Sequence, residues 1–279
     1  MVFTHMYATI DLRLEARERM EIWHEVAGNG SPVLFIHEGI CDSRVWDPQW
    51  ETFPRSHRTF RCDLRGFGRT PLTPEPYSHA RDVVALLDRL DVGPAALVGG
   101  SLGGRVALEV AVARPDLVER LVLVAAGLPD HRWSDVILNY GEEEDAAVAR
   151  GDLDAAVEAN LRMWVDGPNR TPDEVDPGVR SFVGEMQRRA LELQAPVWEE
   201  SEEELLVPDV GTRFVEIRVP ALVMVGSEDV SDMHEIADRL TSGISDATKL
   251  VMTGTAHVPS LEVPDDFDEL VLPFLRGER

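Results

Sequence analysis

Residues 97–106, which read LVGGSLGGRV, constrain the fold of this chain more than any other segment. A G-x-S-x-G pattern centred on Ser101 follows an apolar run typical of a buried strand and precedes a pattern typical of a helix. A serine at such a sharp turn needs neighbours without side chains, which explains the surrounding glycines. The turn would lift the hydroxyl clear of a sheet and aim the Leu102 N–H, at the helix start, toward the same point. The segment therefore predicts an α/β arrangement with an accessible serine.

Two other functions of a glycine-rich turn do not fit this segment. A dinucleotide-binding loop needs G-x-G-x-x-G, which residues 97–106 lack. A P-loop needs lysine and then serine or threonine after its second glycine. Gly99 and Gly104 have the P-loop spacing, but Arg105 and Val106 follow. A plain tight turn with an incidental serine stays open as the alternative.

Strand-like apolar segments alternate with helical patterns along most of the chain. The strand-like segments are 7–14, 20–26, 33–36, 59–62, 95–98, 121–124, 221–225 and 249–252, and the helical ones are 80–90, 102–113 and 265–275. This alternation predicts an α/β fold with a mostly parallel sheet and right-handed crossovers. Between 130 and 213 only helical patterns occur, at 152–164 and 179–194. We therefore expect a core domain of residues 1–129 and 214–279, with residues 130–213 inserted as a helical cap over the strand ends.

Charge and composition argue against several classes of partner. The 279 residues include 27 basic and 51 acidic side chains, a net charge of −24, which repels nucleic acid and anionic lipid. An 18-residue apolar run and a signal-peptide pattern are both lacking. Two cysteines, Cys41 and Cys62, cannot form a disulfide framework. We expect a cytoplasmic protein that acts on a small molecule, without nucleic-acid or membrane partners; assembly into homo-oligomers stays open.

A serine hydroxyl becomes nucleophilic when a base takes its proton, so a histidine and an orienting carboxylate should accompany Ser101. His257 lies in a loop between the last strand and the last helix, where an imidazole could reach the serine. Asp229, after the strand 221–225, is the preferred carboxylate; its neighbour Glu228 and the more distant Asp130 are the alternatives. Most remaining histidines lie in polar stretches and are expected at the surface: His5, His57, His79, His131 and His234.

An oxyanion that forms during acyl transfer needs two N–H donors. The Leu102 N–H supplies one from the start of the predicted helix. The other should come from the loop after strand 33–36, which reads HEGI over residues 37–40. By position we choose the Gly39 N–H, with Glu38 and Ile40 beside it.

These motifs together resemble the α/β-hydrolase superfamily, and in particular its 3-oxoadipate enol-lactonase-like and small carboxylesterase branch. The resemblance rests on FIHEG at 35–39, DLRGFGRT at 63–70, G-x-S-x-G at 99–103, G-x-x-D at 226–229 and the His257 loop. It implies an eight-stranded, mostly parallel sheet with flanking helices and a helical cap. The chain order serine, aspartate, histidine is also that of the family. The resemblance implies the following roles: Ser101 as nucleophile, Asp229 as acid, His257 as base, and Gly39 and Leu102 as oxyanion-hole donors.

The substrate contacts are less constrained by the sequence. Glu38 departs from the family pattern, which usually has glycine or another small residue there; its side chain could face solvent, pair with an arginine or act on the field near Ser101. Candidate substrate-binding residues are Glu38 together with Trp133, Trp164 and Arg162 of the predicted cap. We expect neither cofactor nor metal, since HExxH and His/Cys sets at ligand spacing are lacking.

The expected activity is hydrolysis of a small carboxylic ester or lactone through an acyl-enzyme, without a cofactor. The same three residues could instead serve C–C bond hydrolysis, a lyase or synthase step, or natural-product tailoring, because a fold does not fix a function. A non-catalytic ligand-binding module on the same fold is a third interpretation, which the complete set of three residues disfavours.

Overall fold

The computed structural model describes residues 21–278, which contain one sheet of seven strands. The strands are β1 (His24–Ala27), β2 (Ser31–Ile36), β3 (His57–Cys62), β4 (Ala95–Gly100), β5 (Val118–Val124), β6 (Ala221–Gly226) and β7 (Ala247–Met252). Their order in the sheet is β1-β3-β2-β4-β5-β6-β7. β1 pairs with β3 in antiparallel fashion and every other neighbouring pair is parallel. The predicted mostly parallel sheet is therefore confirmed.

The number of strands differs from the expected eight. Each strand predicted between residues 20 and 252 is present, with bounds shifted by a few residues. The predicted strand at 7–14 lies outside the described residues, so the structure describes a seven-stranded sheet.

Helices cover both faces of the sheet and fill the connection between β5 and β6. They are α1 (Asp47–Thr52), α2 (His79–Leu90), α3 (Leu102–Ala113), α4 (Asp135–Ala149), α5 (Leu153–Asn160), a π-helix (Leu161–Asp166), α6 (Pro177–Gln194), α7 (Val210–Arg213), α8 (Ser231–Gly243), α9 (Pro259–Glu262) and α10 (Pro264–Leu275). Short 3₁₀ segments lie between several of them. The sequence patterns predicted α2, α3, α5, α6 and α10, whereas α1, α4 and α8 were not anticipated.

Two apolar cores lie on opposite faces of the sheet. Successive side chains of β2 alternate between them: Leu34 and Ile36 join one core, Val33 and Phe35 the other. Helices α2, α3 and α8 pack on the first face, and α10 packs on the second. Strands β4 and β6 are buried along their whole length, as expected for parallel strands that are covered on both sides.

Helices α5 and α6, between β5 and β6, bury side chains in the second core, whereas α7 packs on the first. Val183 and Met186 of α6 are buried in it together with Phe35 of the sheet. Within residues 125–220 the structure contains helices and turns but no strand of the sheet. We call residues 125–220 the helical insertion.

Two histidines that were expected at the surface are buried. His79 is 2% exposed and lies between the rings of Phe67 and Tyr77, at centroid distances of 6.1 and 5.0 Å. His57 is 3% exposed and lies beside Phe53. The surface prediction was wrong for both, because the aromatic side chains that cover them cannot be recognised from the polar residues next to them in sequence.

Candidate active site

Ser101 occupies the turn between β4 and α3 in a strained backbone conformation. Its φ of 46° and ψ of −106° lie in a region that residues other than glycine rarely adopt. Hydrogen bonds hold it there: its N–H donates to the carbonyl of Val124 (2.8 Å), and its carbonyl accepts from Gly127 N–H (3.0 Å). Strain of this kind persists only where the surrounding structure enforces it, and it is frequent at functional sites.

The glycines around Ser101 are required by close backbone approach. A Cβ at Gly103 would overlap the carbonyl of Ile36, and a Cβ at Gly99 would overlap the carbonyl of Gly103. The Gly103 N–H also donates to the carbonyl of His37 at 3.1 Å. The turn can therefore sit tightly against the loop that follows β2 only if these positions lack side chains.

Asp229 and His257 form a buried hydrogen-bonded pair at the ends of β6 and β7. Nδ1 of His257 lies 2.8 Å from Oδ2 of Asp229, and the two residues are 2% and 4% exposed. The second carboxylate oxygen accepts from the Val230 N–H at 2.8 Å. Burial lowers the pKa of His257, but the carboxylates of Asp229 and Glu38 raise it, and the net pKa lies above the ordinary histidine value. A carboxylate on Nδ1 favours the tautomer with the proton on that nitrogen, which leaves Nε2 able to accept one.

The two alternative carboxylates are engaged elsewhere. Glu228 accepts a hydrogen bond from the hydroxyl of Ser227 at 2.9 Å. Asp130 pairs with Arg239 at 3.0 Å on the surface. Of the three candidate acids, Asp229 is therefore the one that the structure brings to His257.

The helical insertion contacts the His257 loop directly. The ring of Trp164, in the π-helix, lies 4.4 Å from the His257 ring, and the Trp164 carbonyl accepts from His257 N–H at 3.1 Å. The preceding Ala256 N–H donates to Glu262 (2.7 Å), which pairs with Arg170 of the insertion at 2.7 Å. The orientation of the imidazole thus depends on residues far away in sequence.

The two proposed oxyanion donors lie side by side. A Cβ built on Gly39 would be 3.6 Å from the Cβ of Leu102, in ordinary contact. Within residues 21–278, no backbone or side-chain acceptor takes a hydrogen bond from the N–H of either residue. Neither N–H is therefore occupied by a partner in the described part of the chain.

A cavity of about 690 Å³ brings the candidate residues together. Ser101, His257 and Gly39 form part of its wall, and the helical insertion supplies most of the rest. A volume of this size suits a small-molecule ligand. Residues of the helical insertion and residues that follow β2, β4 and β7 therefore line one cavity.

Of the candidate substrate contacts in the insertion, only Trp164 lines this cavity. Trp133 packs instead against the apolar core and the ring of His131 at 5.0 Å. Arg162 is exposed, pairs with Glu143 and lines a separate shallow depression. The structure therefore does not bring Trp133 or Arg162 to Ser101. Trp133 packs among apolar residues, and Arg162 is exposed to solvent.

Glu38 is fully buried. Two expectations for its side chain, exposure to solvent and pairing with an arginine, are therefore not met, and Glu38 does not line the cavity. Both carboxyl oxygens lack a hydrogen-bond partner among the described residues. Burial raises the pKa of Glu38 to about 7, although its own backbone N–H and the charge of His257 act in the opposite direction.

A polar network in the insertion was missed by sequence reasoning. The Tyr140 hydroxyl lies 2.6 Å from the amide oxygen of Asn160 and 3.0 Å from Glu144, and Gln187 lies next to them on the cavity wall. Tyr140 and Glu144 are one helical turn apart on α4. The i, i+4 spacing could have linked them had α4 been predicted.

Residues 21–278 contain neither a group of metal-ligating side chains nor a membrane-spanning helix. No three histidine, cysteine, aspartate or glutamate side chains are grouped so that they could hold a metal ion. In the same part of the chain, none of the helices combines the length and the apolar character needed to cross a membrane.

Comparison with known proteins agrees with this architecture. A sequence model of the alpha/beta hydrolase family matches residues 33–270. A protein of Variovorax paradoxus, provisionally named carbamate hydrolase RutD, is 31% identical over 273 residues, which cover 92% of this chain and 96% of that protein. The pimeloyl-[acyl-carrier protein] methyl ester esterase of Nitrosospira multiformis is 26% identical over 274 residues, 92% of this chain and 99% of the esterase.

A solved structure shows the same fold. The enol-lactonase from Burkholderia xenovorans LB400 superimposes with a TM-score of 0.73 at 21% identity, over 91% of this chain and 96% of the lactonase. The family match spans well over half of the sequence, and the seven strands and flanking helices follow the same plan. The chain therefore belongs to the alpha/beta hydrolase family.

Proposed function

We propose that this chain is a cofactor-independent serine hydrolase of small carboxylic esters or lactones. One observation carries the proposal: Ser101, in its strained turn, and His257, which hydrogen-bonds to Asp229 at 2.8 Å, both line a single cavity. A serine, a histidine base and a buried carboxylate in this arrangement are the groups that acyl transfer needs.

In the proposed first step, the Ser101 hydroxyl attacks the substrate carbonyl carbon while Nε2 of His257 takes its proton. The resulting tetrahedral intermediate collapses as the bond from carbon to the alcohol oxygen breaks. His257 returns the proton to that oxygen, and the acyl group stays on Ser101 as an ester. In a lactone the alcohol remains attached to the acyl chain.

Water completes the cycle in the second step. His257 takes a proton from the water as its oxygen attacks the acyl carbon, and Ser101 regains that proton when it leaves as the hydroxyl. Asp229 holds the imidazole in the required tautomer and stabilises its charged form. The Gly39 and Leu102 N–H groups stabilise the oxyanion in both steps, a contribution of about 3 kcal/mol for one such donor.

We further propose that residues 130–213 act as the cap that closes this site over a small-molecule substrate. Trp164 supports this role, because one side chain of the insertion both lines the cavity and packs on His257. The names of the relatives refer to carbamate, methyl ester and enol-lactone substrates. All three contain an acyl carbon bound to a heteroatom, which favours acyl transfer over C–C bond cleavage for this chain.

Covalent labelling tests the proposal directly. A fluorophosphonate probe added to the wild type should raise the intact mass by one adduct. Ser101→Ala and His257→Ala should stay unlabelled, and Ser181→Ala, which removes an exposed hydroxyl on α6, should label like the wild type. Ser101→Ala should also lower kcat on a hydrolysed ester by on the order of 10³-fold or more.

A folded wild-type protein that takes up no probe, or a Ser101→Ala variant that retains full activity, would contradict this assignment. Labelling combined with turnover of a C–C bond substrate, and with no turnover across an ester and lactone panel, would favour the alternative reactions of the same three residues.

A further inference from the structure

The helical insertion gives the cavity an acidic wall. Glu144 and Asp145 of α4 and Glu199 and Glu200 after α6 line it, on the same cavity as Ser101. Within residues 21–278, no arginine or lysine side chain lines this cavity. A cavity with carboxylates and no cation repels an anionic ligand group and attracts a cationic one.

Glu144 is held in place by donors from three elements. The Tyr140 hydroxyl lies 3.0 Å from Oε2, and Asn160 Nδ2 lies 2.6 Å from Oε1. Gln187 Nε2 of α6 makes a longer contact with Oε1, at 3.4 Å. The network fixes the position of the Glu144 side chain on the cavity wall.

Gln187 points to a missing ligand. It lines the cavity and is only 4% exposed. Its amide nitrogen faces Glu144, which assigns the other end of the amide as oxygen, and this Oε1 has no hydrogen-bond partner among the described residues. A buried acceptor without a donor is costly. A ligand N–H would supply the donor that the protein lacks.

Two tryptophans complete the wall. Trp164 lies beside His257, and Trp198 lies near the acidic pair Glu199 and Glu200 and is 58% exposed. The face of an indole ring attracts cations. The carboxylates and indole rings of this wall favour a positively charged group, and the unpaired amide oxygen of Gln187 favours one that carries an N–H.

We propose that the substrate of this site carries a protonated amine, bound between Glu144 and Gln187 while its carbonyl lies at Ser101. The proposal rests on the proposed hydrolase function and names the class of ester that the cavity takes. It also predicts that esters with a free carboxylate are poor substrates.

Three butyrate esters of similar shape test the proposal. Dimethylaminoethyl butyrate is cationic at neutral pH, isopentyl butyrate is its neutral counterpart, and carboxyethyl butyrate is anionic. Hydrolysis by the wild type, followed by NMR, should favour the cationic ester over the neutral one by about tenfold or more in kcat/KM, with the anionic ester slowest. The preference should lie mainly in KM and shrink as salt is added.

Matched variants separate the cavity from the negative charge of the whole protein. Glu144→Gln and Gln187→Met should each reduce the ratio of kcat/KM for the cationic ester to kcat/KM for the neutral ester. Glu143→Gln removes the same charge one residue away, where Glu143 is exposed and paired with Arg162, and should retain the preference. Equal rates on the cationic and neutral esters, or an undiminished preference in both Glu144→Gln and Gln187→Met, would overturn the proposal.

Binding to the Ser101→Ala variant keeps the result independent of turnover. Calorimetry with the same three esters should show tighter binding of the cationic ester even if the wild type hydrolyses none of them. Failure of fluorophosphonate labelling would then count against the hydrolase function alone, whereas absence of the binding preference would count against the ammonium site alone.

Discussion

The carboxyl group of Glu38 fills the space that a side chain on Gly100 would occupy. A Cβ at Gly100 would overlap Oε1, Cδ and Cγ of Glu38. Gly100 is the last residue of β4 and directly precedes Ser101. A buried titratable group is therefore packed against the turn that carries the proposed nucleophile.

This contact predicts the effect of Gly100→Ala. The added methyl group must displace the Glu38 carboxyl inside a filled core, and we expect a loss of about 1–3 kcal/mol in the free energy of unfolding. Because the overlap is with Glu38 beyond its Cβ, the double variant Gly100→Ala/Glu38→Ala should be more stable than the sum of the two single changes in the free energy of unfolding predicts. Denaturant titrations of the four proteins give this coupling energy.

Gly141→Ala provides the control for the glycine substitution. Gly141 lies inside α4, and a Cβ there would have no atom within 4 Å. Alanine should be neutral or stabilise the helix by up to about 1 kcal/mol. Equal losses for Gly100→Ala with and without the Glu38 carboxyl would show that the two residues do not compete for space.

The raised pKa of Glu38 predicts a pH-dependent loss of stability. In the folded protein the pKa of Glu38 is about 7, against 4.5 for an ordinary glutamate. Below pH 4.5 the carboxyl is protonated in both the folded and the unfolded protein and costs no stability. As the pH rises from 4.5 through 7, the free energy of unfolding falls, because the charged carboxylate is hydrated only in the unfolded protein. The difference between these two pKa values corresponds to about 3 kcal/mol in the free energy of unfolding. Relative to the wild type, Glu38→Gln should therefore gain stability as the pH rises from 5 to 8.

Chemical unfolding of both proteins across this pH range measures the gain. Glu143→Gln changes an exposed position, and its free energy of unfolding should depend on pH in the same way as that of the wild type. A constant difference between Glu38→Gln and the wild type would mean that Glu38 does not titrate near neutral pH.

The pH dependence of activity should also respond to Glu38. The pKa of His257 lies above its ordinary value partly because Asp229 and Glu38 stabilise the imidazolium. Since His257 must be neutral to act as a base, kcat/KM should fall as the pH drops through this raised pKa. In Glu38→Gln the acid limb should move to lower pH, by a few tenths of a unit up to about one unit.

The groups that face Glu38 from neighbouring elements are His257 and Cys41, whose thiol pKa is raised by burial and by Glu38. Cys41→Ser is the matched control and should leave the acid limb in place. An acid limb that is identical in Glu38→Gln and the wild type would show that the carboxyl does not act on His257.

Asp229→Asn tests the choice among the three acids. An amide at this position would favour the wrong imidazole tautomer, and kcat should fall by about 10⁴-fold with little change in stability. Glu228→Gln and Asp130→Asn change carboxylates that contact Ser227 and Arg239, and should stay within about twofold of the wild type. A large loss in Asp130→Asn with activity retained in Asp229→Asn would reverse the assignment. Steady-state kinetics on one hydrolysed ester is sufficient.

The periodicity of the sequence was enough for the sheet but not for every helix. Strands such as β4 and β6 are short, wholly apolar runs bounded by glycine, and this pattern has few other interpretations. Helix α4 escaped prediction because its sequence, DVILNYGEEEDAAVA, has a glycine in its middle and buries only Ala147. Its helical structure depends on contacts with the rest of the insertion, which a local pattern does not reveal.

In the candidate site, too, some residues could be predicted from the sequence and others could not. Ser101, Asp229 and His257 each follow a strand, and because parallel strands end at one edge of a sheet, their sequence positions predict that they meet there. The sequence already favoured Asp229 over Glu228 and Asp130, and the hydrogen bond from His257 to Asp229 supports that choice. Trp133 and Arg162 were chosen by residue type alone, and the structure places both away from the cavity.

The sequence by itself determined the α/β plan and the positions of Ser101, Asp229 and His257 along it, since strand periodicity and the sharp glycine turn are local properties of the chain. Only the tertiary structure decided that Glu38 is buried without a partner, that Gln187 and Glu144 face the cavity, and that Trp164 packs on His257. Burial, desolvation and hydrogen bonding between segments depend on which distant residues come together. Helix and strand periodicities are local patterns and do not reveal which residues those are.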